Sequence, residues 1–389
     1  MRLLDLRGYA SLEATFGPGP HIVWGPNAAG KTSLLEAMVL LAWGRSHRTT
    51  TDGELIRWGT DLARVEGIVG RDTLEVAVVR SGAAGSAGRK RIRVNGLGRR
   101  ASGLAGLLRV VLFAPEEMLL VAGSPSLRRA VIDQLASSGS PAYADAFATY
   151  ARTLQQRNSL LRAIREDGAS RDELRFWDGA FLDAGAVIVA ERRRLLGILA
   201  GPLAAAHAEI APEEAASSTL TIRYETNAPP LPGEGPRDTL ARRLAETAEK
   251  EVWNGSTLIG PHRDDLVFEL EGRDLASFAS RGQQRTAILA LKLAELDVIT
   301  AMDGRPPLLL LDDVFSELDP DRRSHLVRRI AALPQAFVTT TTLDDLDPEL
   351  RAIARAWEVR VGPTGAVLIG EQGIEAAAAL PRTDAGAPR

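Results

Sequence analysis

One segment constrains the fold of this chain more than any other, the octapeptide Gly25-Pro26-Asn27-Ala28-Ala29-Gly30-Lys31-Thr32, which matches the pattern G-x-x-x-x-G-K-[ST]. The apolar run HIVWG precedes it, and the helical pattern that follows it, TSLLEAMVLLAWG, ends at Gly44. In a strand–loop–helix unit of this kind the backbone N–H groups turn around a phosphate, the lysine reaches the β and γ phosphates, and the threonine hydroxyl ligates Mg²⁺. The sequence therefore predicts a nucleotide-binding α/β unit.

Composition supports a special role for Lys31 and excludes several other chemistries. Of the 47 basic residues only four are lysines, Lys31, Lys90, Lys250 and Lys292, so chance rarely puts a lysine at the required place. The chain has no cysteine, which excludes disulfides, thiolate catalysis, Cys-ligated zinc and iron–sulfur clusters. No apolar stretch is long enough for a signal peptide or a membrane span, so we expect a cytoplasmic protein with no membrane partner.

A second motif, the run LLLLDD at 308–313, is typical of a buried parallel strand that ends in two carboxylates. In a P-loop ATPase, Asp312 would bind Mg²⁺ and Asp313 would activate water. The alternative is a pair of turn or capping aspartates, which often follow strands. Asp312 comes 281 positions after Lys31, so a large segment is inserted between the two halves of one ATPase head.

The inserted segment has helical patterns. Helices are predicted to begin at Ser124-Pro125 and Ser140-Pro141, a third begins at a capping box of Ser170 and Glu173, and Gly201-Pro202 is expected to interrupt the third. The predicted domains are the N-terminal part of the ATPase head at 1–115, a helical insert at 116–250, the C-terminal part of the head at 251–370 and a flexible tail at 371–389.

Another candidate site is the hexapeptide SRGQQR at 280–285, which precedes the helical pattern TAILALKLAEL. A serine and a glycine at a helix N-terminus form a second anion site, which would meet the γ-phosphate only from another subunit. The alternative is a plain N-cap. The stretch Ser316 to Pro320 likewise has two interpretations, a loop that crosses the same interface or a helix start capped by Asp319.

Basic residues are concentrated in one stretch, although the net charge is −3. Eight basic residues and no acidic residue lie between Val76 and Pro115. Six of them flank a hairpin turn at Asn95-Gly96 and either contact a DNA backbone or form a solvated hairpin face: Arg89, Lys90, Arg91, Arg93, Arg99 and Arg100.

Two further groups have alternative interpretations. Arg128 and Arg129, on a predicted helix, are similar candidates for contact with DNA. His262 and Arg263, in the sequence GPHRDD, belong either to a functional site or to an ion-pair network with the two aspartates.

Taken in order, the phosphate loop, SRGQQR, LLLLDD and SELD resemble an ABC-type ATPase head of the SMC/Rad50 class. Several stretches within about residues 1 to 345 are similar to the RecF family of recombination mediators: LRGYASLEATFGPG, SHRT, FAPEEMLLVAGSPSLRR, QRNSLL, GPHRDDL, ASRGQQRTAILALKLAE and DDVFSELDPDRR. The fold class that this resemblance implies is α/β, an ABC-type P-loop ATPase head with mixed sheets flanked by helices and an inserted helical arm subdomain.

The resemblance implies ATP and Mg²⁺ as cofactors. The octapeptide from Gly25 to Thr32 would bind the nucleotide, Thr32 and Asp312 would bind the metal, and Lys31 and Asp313 would be catalytic. Ser280, Gly282 and Gln283 would complete the site of an opposing subunit. Asp313 stands where many ABC ATPases have glutamate, which leaves open whether it is itself the base, and Ala28 and Ala29 stand where many relatives have glycine.

The function implied is that of a slow, DNA-stimulated ATPase in DNA replication, repair and the SOS response to DNA damage. ATP would join two copies into a homodimer that clamps gapped DNA or a junction of single- and double-stranded DNA. With RecR and RecO as partners it would promote loading of RecA, in the cytoplasm at the nucleoid, and hydrolysis would reset it.

Two other functions fit the sequence less well. A transport-coupled ABC subunit needs a surface that couples to a membrane partner and usually has a much shorter insert. A structural SMC-like tether needs arms of hundreds of residues with heptad repeats, and a Rad50-like zinc hook needs a cysteine pair, which the chain does not have.

Overall fold

The computed structural model of the protein describes residues 1–80 and 88–370, apart from the side chain at position 317. The strands are β1 (Arg2–Leu6), β2 (Tyr9–Glu13), β3 (Gly19–Trp24), β4 (Leu62–Val69), β5 (Asp72–Arg80), β6 (Gly88–Val94), β7 (Leu97–Arg99), β8 (Val110–Phe113), β9 (Leu220–Glu225), β10 (Asp265–Leu270), β11 (Arg273–Asp274), β12 (Leu308–Asp312), β13 (Gln335–Thr340), β14 (Arg355–Gly362) and β15 (Gly365–Gly370). The helices are α1 (Lys31–Trp43), α2 (Pro125–Gly139), α3 (Pro141–Arg165), α4 (Leu174–Ile210), α5 (Pro212–Ala215), α6 (Pro236–Asn254), α7 (Leu275–Phe278), α8 (Arg281–Asp303), α9 (Pro320–Ala331) and α10 (Pro348–Ile353). The tail predicted at 371–389 lies outside the described residues.

The described chain divides into two compact units. The first contains Met1–Ala114 and the chain from Pro306 onward, and the second contains Pro115–Arg305. The first division lies next to the predicted boundary at 115. The second differs from the predicted boundary at 250, because residues 251–305 pack within the second unit: β10 pairs with β9, and α8 packs on α4.

The first unit contains two six-stranded sheets. One has the strand order β2-β1-β4-β5-β6-β7 and is antiparallel. The other has the order β15-β14-β3-β13-β12-β8, in which all neighbours are parallel except β14 and β15. Parallel strands buried on both faces read as continuous apolar runs, as in the VVLF sequence of β8.

Helix α1 lies between these two sheets and contacts β4 and β5 of the first and β12 and β13 of the second. Almost all of its residues are buried, including Lys31 and Glu36, because a helix that packs on both sides needs an apolar surface all round. Gly44 ends the helix in the left-handed conformation, as the sequence predicts.

The second unit is mainly helical and is built around α4, which packs against α3, α6, α8 and β9. The helix starts predicted at Ser140 and Ser170 are present: Ser140 Oγ accepts from the N–H of Tyr143 at 3.1 Å, and Ser170 forms a capping box with Glu173. A buried ion pair crosses this unit, in which Lys292 Nζ lies 2.7 Å from Glu117 Oε1 and 3.3 Å from Glu295.

One sequence-based expectation about this unit is wrong, and one strand was not predicted. Pro202 does not interrupt the third helix, because α4 continues through it to Ile210. The buried stripe that includes Leu199 and Leu203 continues across the proline, and its packing offsets the roughly 3 kcal/mol that an internal proline costs. Strand β9 lies in a segment where no strand was predicted, although Leu220, Ile222 and Tyr224 alternate with polar residues.

Candidate nucleotide-binding site

Three parallel strands of the first unit bring the predicted site residues to one edge. Asp312 at the end of β12 is paired with Thr339 of β13, and Thr340 of β13 is paired with Trp24 at the end of β3. The octapeptide follows Trp24 directly. The carboxyl edge of a parallel sheet is the usual ligand site in open α/β folds. Strand pairing therefore brings the regions of Lys31 and Asp312 to one edge of the sheet, although the two residues are far apart in the sequence.

Glycines of the octapeptide occupy positions where no other residue fits without strain. Gly25 has φ of 145°, and a Cβ on it would lie 2.3 Å from the carbonyl oxygen of Val359 in β14. Gly30 has φ of 119°, and a Cβ there would meet the ring of Tyr9 at 3.2 Å. Ala28 has φ of 62°, in the left-handed region that favours glycine. Helix α1 begins immediately after Gly30, so its first N–H groups face this loop.

The Lys31 ammonium is held inside the octapeptide. It donates to the carbonyl oxygen of Gly25 at 2.7 Å and to that of Pro26 at 3.0 Å, and the residue is only 7% exposed. Burial lowers the pKa of Lys31 below its ordinary value, and the nearby carboxylates of Asp313 and Asp312 oppose this change. A phosphate next to this ammonium would compensate for the burial of its charge.

Thr32 and Asp312 are brought into direct contact. The Thr32 hydroxyl donates to Asp312 Oδ1 at 3.1 Å, and the buried Thr339 hydroxyl donates to the same oxygen at 2.7 Å. Sequence reasoning missed Thr339, although four threonines at the end of a buried strand, residues 339–342, are a visible signal. Hydroxyl and carboxylate oxygens are the ligands that Mg²⁺ prefers, so the pair fits the metal that the sequence predicts here.

Asp313 has an unusual backbone conformation. Its φ is 54°, and its N–H donates to the Thr339 hydroxyl at 2.9 Å. Aspartate and asparagine occupy the left-handed region several times more often than most other residues. This gives a local reason why the shorter carboxylate, and not glutamate, stands at this position.

Ser280, Gly282 and Gln283 belong to the second unit. Ser280 is the N-cap of α8 and forms a capping box, in which Ser280 Oγ accepts from the N–H of Gln283 at 3.2 Å and Gln283 Oε1 accepts from the N–H of Ser280 at 3.0 Å. The residue is exposed. The N-cap interpretation is therefore correct, and the Ser280 hydroxyl, which accepts in this capping box, also has a proton to donate.

The structure also decides how Asp319 acts within its segment. Asp319 is the N-cap of α9, Pro320 is the first helical residue, and Asp319 Oδ1 accepts from the N–H of Arg322 at 3.0 Å. The helix start is therefore present in this segment. Ser316 is held to the end of β12 instead, since its hydroxyl donates to the carbonyl oxygen of Asp313 at 2.8 Å.

The GPHRDD segment forms a structural network. His262 Nδ1 lies 2.7 Å from the Tyr150 hydroxyl, and burial lowers the pKa of His262 to about 4, so the ring is neutral at pH 7. Arg128 makes a two-pronged ion pair with Asp265 at 2.8 and 2.7 Å, and Arg129 donates to the carbonyl oxygen of Asp264 at 2.7 Å. Arg263 Nη2 donates to the carbonyl oxygen of Thr257 at 3.1 Å. The ion pair at this segment is thus made by Arg128 with Asp265 and not by His262 or Arg263 with the aspartates, and Arg128 and Arg129 are used within the fold.

The six basic residues of the hairpin divide into two sets. Lys90 points to the core face of β6 and pairs with Asp52 at 2.7 Å, and Arg93 lies 3.6 Å from Glu75. Arg93 is also exposed, as are the other four: Arg89, Arg91, Arg99 and Arg100. Arg93 lies beside Glu75 on the outer face of the antiparallel sheet, since Ile92 packs in the core, and further along the same face lie Arg89 and Arg91. These two are the best placed of the set to contact a nucleic acid.

Comparison with known proteins identifies the family of the chain. A family described as RecF/RecN/SMC N terminal domain matches residues 1–351. The DNA replication and repair protein RecF of Lysinibacillus sphaericus is 36% identical over 371 residues, which are 93% of this chain and 97% of that protein. The chain belongs to the RecF family. The RecF protein of Limosilactobacillus fermentum is 40% identical over 362 residues, covering 90% and 94% of the two chains.

Solved structures give the same result for the fold. One is a structure of the recombination mediator protein RecF-ATP in the RecFOR pathway, which is 30% identical in sequence and has a TM-score of 0.81. The match includes 95% of this chain and 96% of the chain in that structure. A crystal structure of the SmcHead bound to the C-winged helix domain of ScpA has a TM-score of 0.52 at 13% identity, which shows the fold alone. The RecF-family chain thus has the ABC-type ATPase head that its motifs predicted. In residues 1–80 and 88–370, no helix is both long and apolar enough to cross a bilayer.

Proposed function

We propose that this RecF-family chain is an ATP-driven DNA repair mediator whose homodimer clamps gapped DNA or a junction of single- and double-stranded DNA. It acts with RecR and RecO to promote loading of RecA, in the cytoplasm at the nucleoid. ATP binding closes the dimer, and slow, DNA-stimulated hydrolysis resets it.

The observation that carries the proposal is the contact between Thr32 and Asp312 beside the buried Lys31. Lys31 would bind the β and γ phosphates, and Thr32 and Asp312 would hold Mg²⁺. A metal ion held there would supply positive charge beside the phosphates. Asp313, next to Asp312, would position the attacking water.

The role of a second subunit is supported by the exposed N-terminus of α8. Ser280, Gly282 and Gln283 form its first turn, where the positive end of the helix dipole favours an anion. Contact with the γ-phosphate of an opposing subunit would make dimerisation depend on ATP and be lost after hydrolysis.

The first test compares two lysine variants. Lys31→Met should lower ATP-dependent binding of gapped DNA by roughly tenfold or more, because a positioned cation at the phosphates is lost. Lys250→Met is the matched control, since Lys250 is exposed in the second unit. Binding is measured by anisotropy of labelled gapped DNA, with and without Mg·ATP, at two salt concentrations. Full ATP-dependent binding by Lys31→Met would contradict the proposal.

The second test concerns dimerisation. Ser280→Arg should abolish ATP-driven dimerisation, seen by analytical ultracentrifugation, and leave nucleotide binding to the monomer intact. Ser217→Arg, at another exposed serine of the second unit, is the control. If Ser280→Arg instead lost nucleotide binding as a monomer, Ser280 would belong to the site of its own chain.

A further inference from the structure

Trp58 is the most exposed large hydrophobic residue in the part of the chain that the structure describes, with 97% of its surface accessible. It lies in the first unit, just before β4. No role in nucleotide binding requires it, and it does not contribute to the core of the sheet. A single exposed apolar residue is ordinary, so the case for a ligand depends on how Trp58 is held and on what lies near it.

The turn that carries Trp58 is firmly held on both sides. The N–H of Thr60 donates to the carbonyl oxygen of Arg57 at 3.2 Å, and Gly59 has φ of 83°, which makes residues 57–60 a turn of type II with Trp58 at its second position. The N–H of Arg57 donates to the carbonyl oxygen of Asp5 at 2.9 Å. Arg80 Nε donates to the carbonyl oxygen of Thr60 at 3.4 Å. A ring presented on a fixed turn loses little conformational entropy when it binds a partner.

Exposed arginines lie at the same end of the sheet. Leu62, at the start of β4, is in register with Val79 of β5, which is in register with Arg89 of β6. Two strand spacings separate Leu62 from Arg89, or about 10 Å. Arg91 lies one step along the same outer face.

The surroundings of Trp58 favour a nucleic acid over a protein partner. Its neighbours along the chain are polar or lack a side chain, namely Arg57, Gly59, Thr60 and Asp61, so the turn itself adds no apolar side chain to the ring. Protein interfaces centre on contiguous apolar patches. Sites for single-stranded nucleic acid combine an isolated aromatic ring, on which a base stacks, with cations that follow the backbone.

We infer that Trp58 is a stacking platform for an unpaired base of single-stranded DNA, with Arg89 and Arg91 contacting the phosphates beside it. This inference rests on the proposed function, and it specifies that the first unit contacts the single-stranded part of the DNA. Asp61, whose side chain is 90% exposed, lies three residues from the ring and would repel the same backbone.

The test uses the full chain with Mg·ATP and two labelled DNAs, a duplex with an oligo(dT) overhang of about 20 nucleotides and the same duplex with blunt ends. Trp58→Ala should weaken binding of the overhang DNA by about 5- to 20-fold and leave the blunt duplex unchanged. Trp58→Phe keeps a ring and should retain most of the affinity. Trp253→Ala is the matched control, since Trp253 is 79% exposed in the second unit.

Two further readouts locate the DNA. Oligo(dT) should quench tryptophan emission of the wild type, and this quenching should disappear in Trp58→Phe although binding persists. Asp61→Asn should strengthen binding of the overhang DNA, most at low salt, because a repulsive charge near the backbone is removed.

The outcomes are distinct. Equal affinities of Trp58→Ala and Trp253→Ala for the overhang DNA would overturn the inference and leave the proposed function intact. Weakened ATP-driven dimerisation of Trp58→Ala, with both DNAs affected equally, would overturn it in favour of a protein contact. Wild-type protein that failed to bind either DNA in the presence of Mg·ATP would refute the proposed function itself.

Discussion

Thr339 is the residue whose replacement tests the arrangement of the candidate site most directly. Its hydroxyl donates to Asp312 Oδ1 at 2.7 Å and accepts from the N–H of Asp313 at 2.9 Å, and the side chain is fully buried. Thr339→Val keeps the shape of the side chain and removes both hydrogen bonds. The hydrogen bond to a carboxylate contributes about 1.5–3 kcal/mol, and a buried N–H left without an acceptor costs about 1–3 kcal/mol. We expect the free energy of unfolding of the first unit to fall by the sum of the two, about 2.5–6 kcal/mol.

The effect on activity follows from the position of Asp312. A residue that orients a metal ligand typically changes metal affinity or activity by about 10- to 100-fold when it is lost. We expect Thr339→Val to raise the Mg²⁺ concentration needed for ATP hydrolysis, or to lower kcat, by a factor in this range. Hydrolysis is measured by phosphate release over a Mg²⁺ titration. Stability is measured by urea unfolding, in which the transition that Mg·ATP moves to higher urea identifies the first unit.

Thr340→Val is the control for this experiment. Thr340 is also buried on β13, but its hydroxyl donates to the carbonyl oxygen of Thr342 at 2.9 Å and not to a carboxylate. It should therefore lose stability by about 1 kcal/mol and keep its Mg²⁺ dependence. If both variants hydrolysed ATP with the same Mg²⁺ dependence, Asp312 would not need Thr339 for its orientation, and the reasoning would be refuted.

Three other predictions concern residues with unusual surroundings. Asparagine tolerates the left-handed backbone, so the variant Asp313→Asn should bind ATP normally. It should hydrolyse ATP at least tenfold more slowly, which corresponds to an increase of about 1.4 kcal/mol in activation free energy. Unchanged single-turnover hydrolysis would show that Asp313 takes no part in the reaction. Because burial raises the pKa of Glu295 to about 7, the folded state binds that proton more tightly, and stability should fall by about 1–3 kcal/mol as pH rises from about 4.5 to 7. Glu295→Gln should flatten this pH dependence in urea unfolding. Gly25→Ala should lose far more thermal stability than Gly19→Ala, since both have positive φ but only the Cβ at position 25 meets a carbonyl oxygen, and equal melting temperatures would contradict this.

Local rules were sufficient to predict much of the candidate site. The octapeptide between a strand and a helix specifies its own conformation, because Gly25 and Gly30 are required where φ is positive. The strand ending at Asp312 was visible as an apolar run. The two motifs predicted that Thr32 and Asp312 would share a metal ion. The contact between them depends on the pairing of β3, β13 and β12, which neither motif specifies.

Other features depend on tertiary packing and were beyond local rules. A proline is expected to end a helix, yet α4 passes through Pro202 because the buried stripe continues on both sides. Residues 251–305 lie in the second unit because β10 finds its partner in β9, some 40 residues earlier in the chain. Thr339 was overlooked because a threonine in a strand is ordinary, and only its neighbours β12 and Asp313 give it a role.

The charge pattern of β6 shows how one strand serves both the core and the surface. Alternation along the strand places Lys90 and Ile92 on the side that closes the core over α1, and Arg89 and Arg91 on the opposite side. The exposed arginines are therefore separated by the antiparallel sheet from α1, the helix that follows the nucleotide-binding loop. Replacing Arg89 and Arg91 by alanine should therefore reduce the affinity for DNA and the salt dependence of that affinity, without changing the affinity for ATP. Replacing Ile92 should instead disturb the packing of α1 and, through α1, the nucleotide-binding loop that precedes this helix.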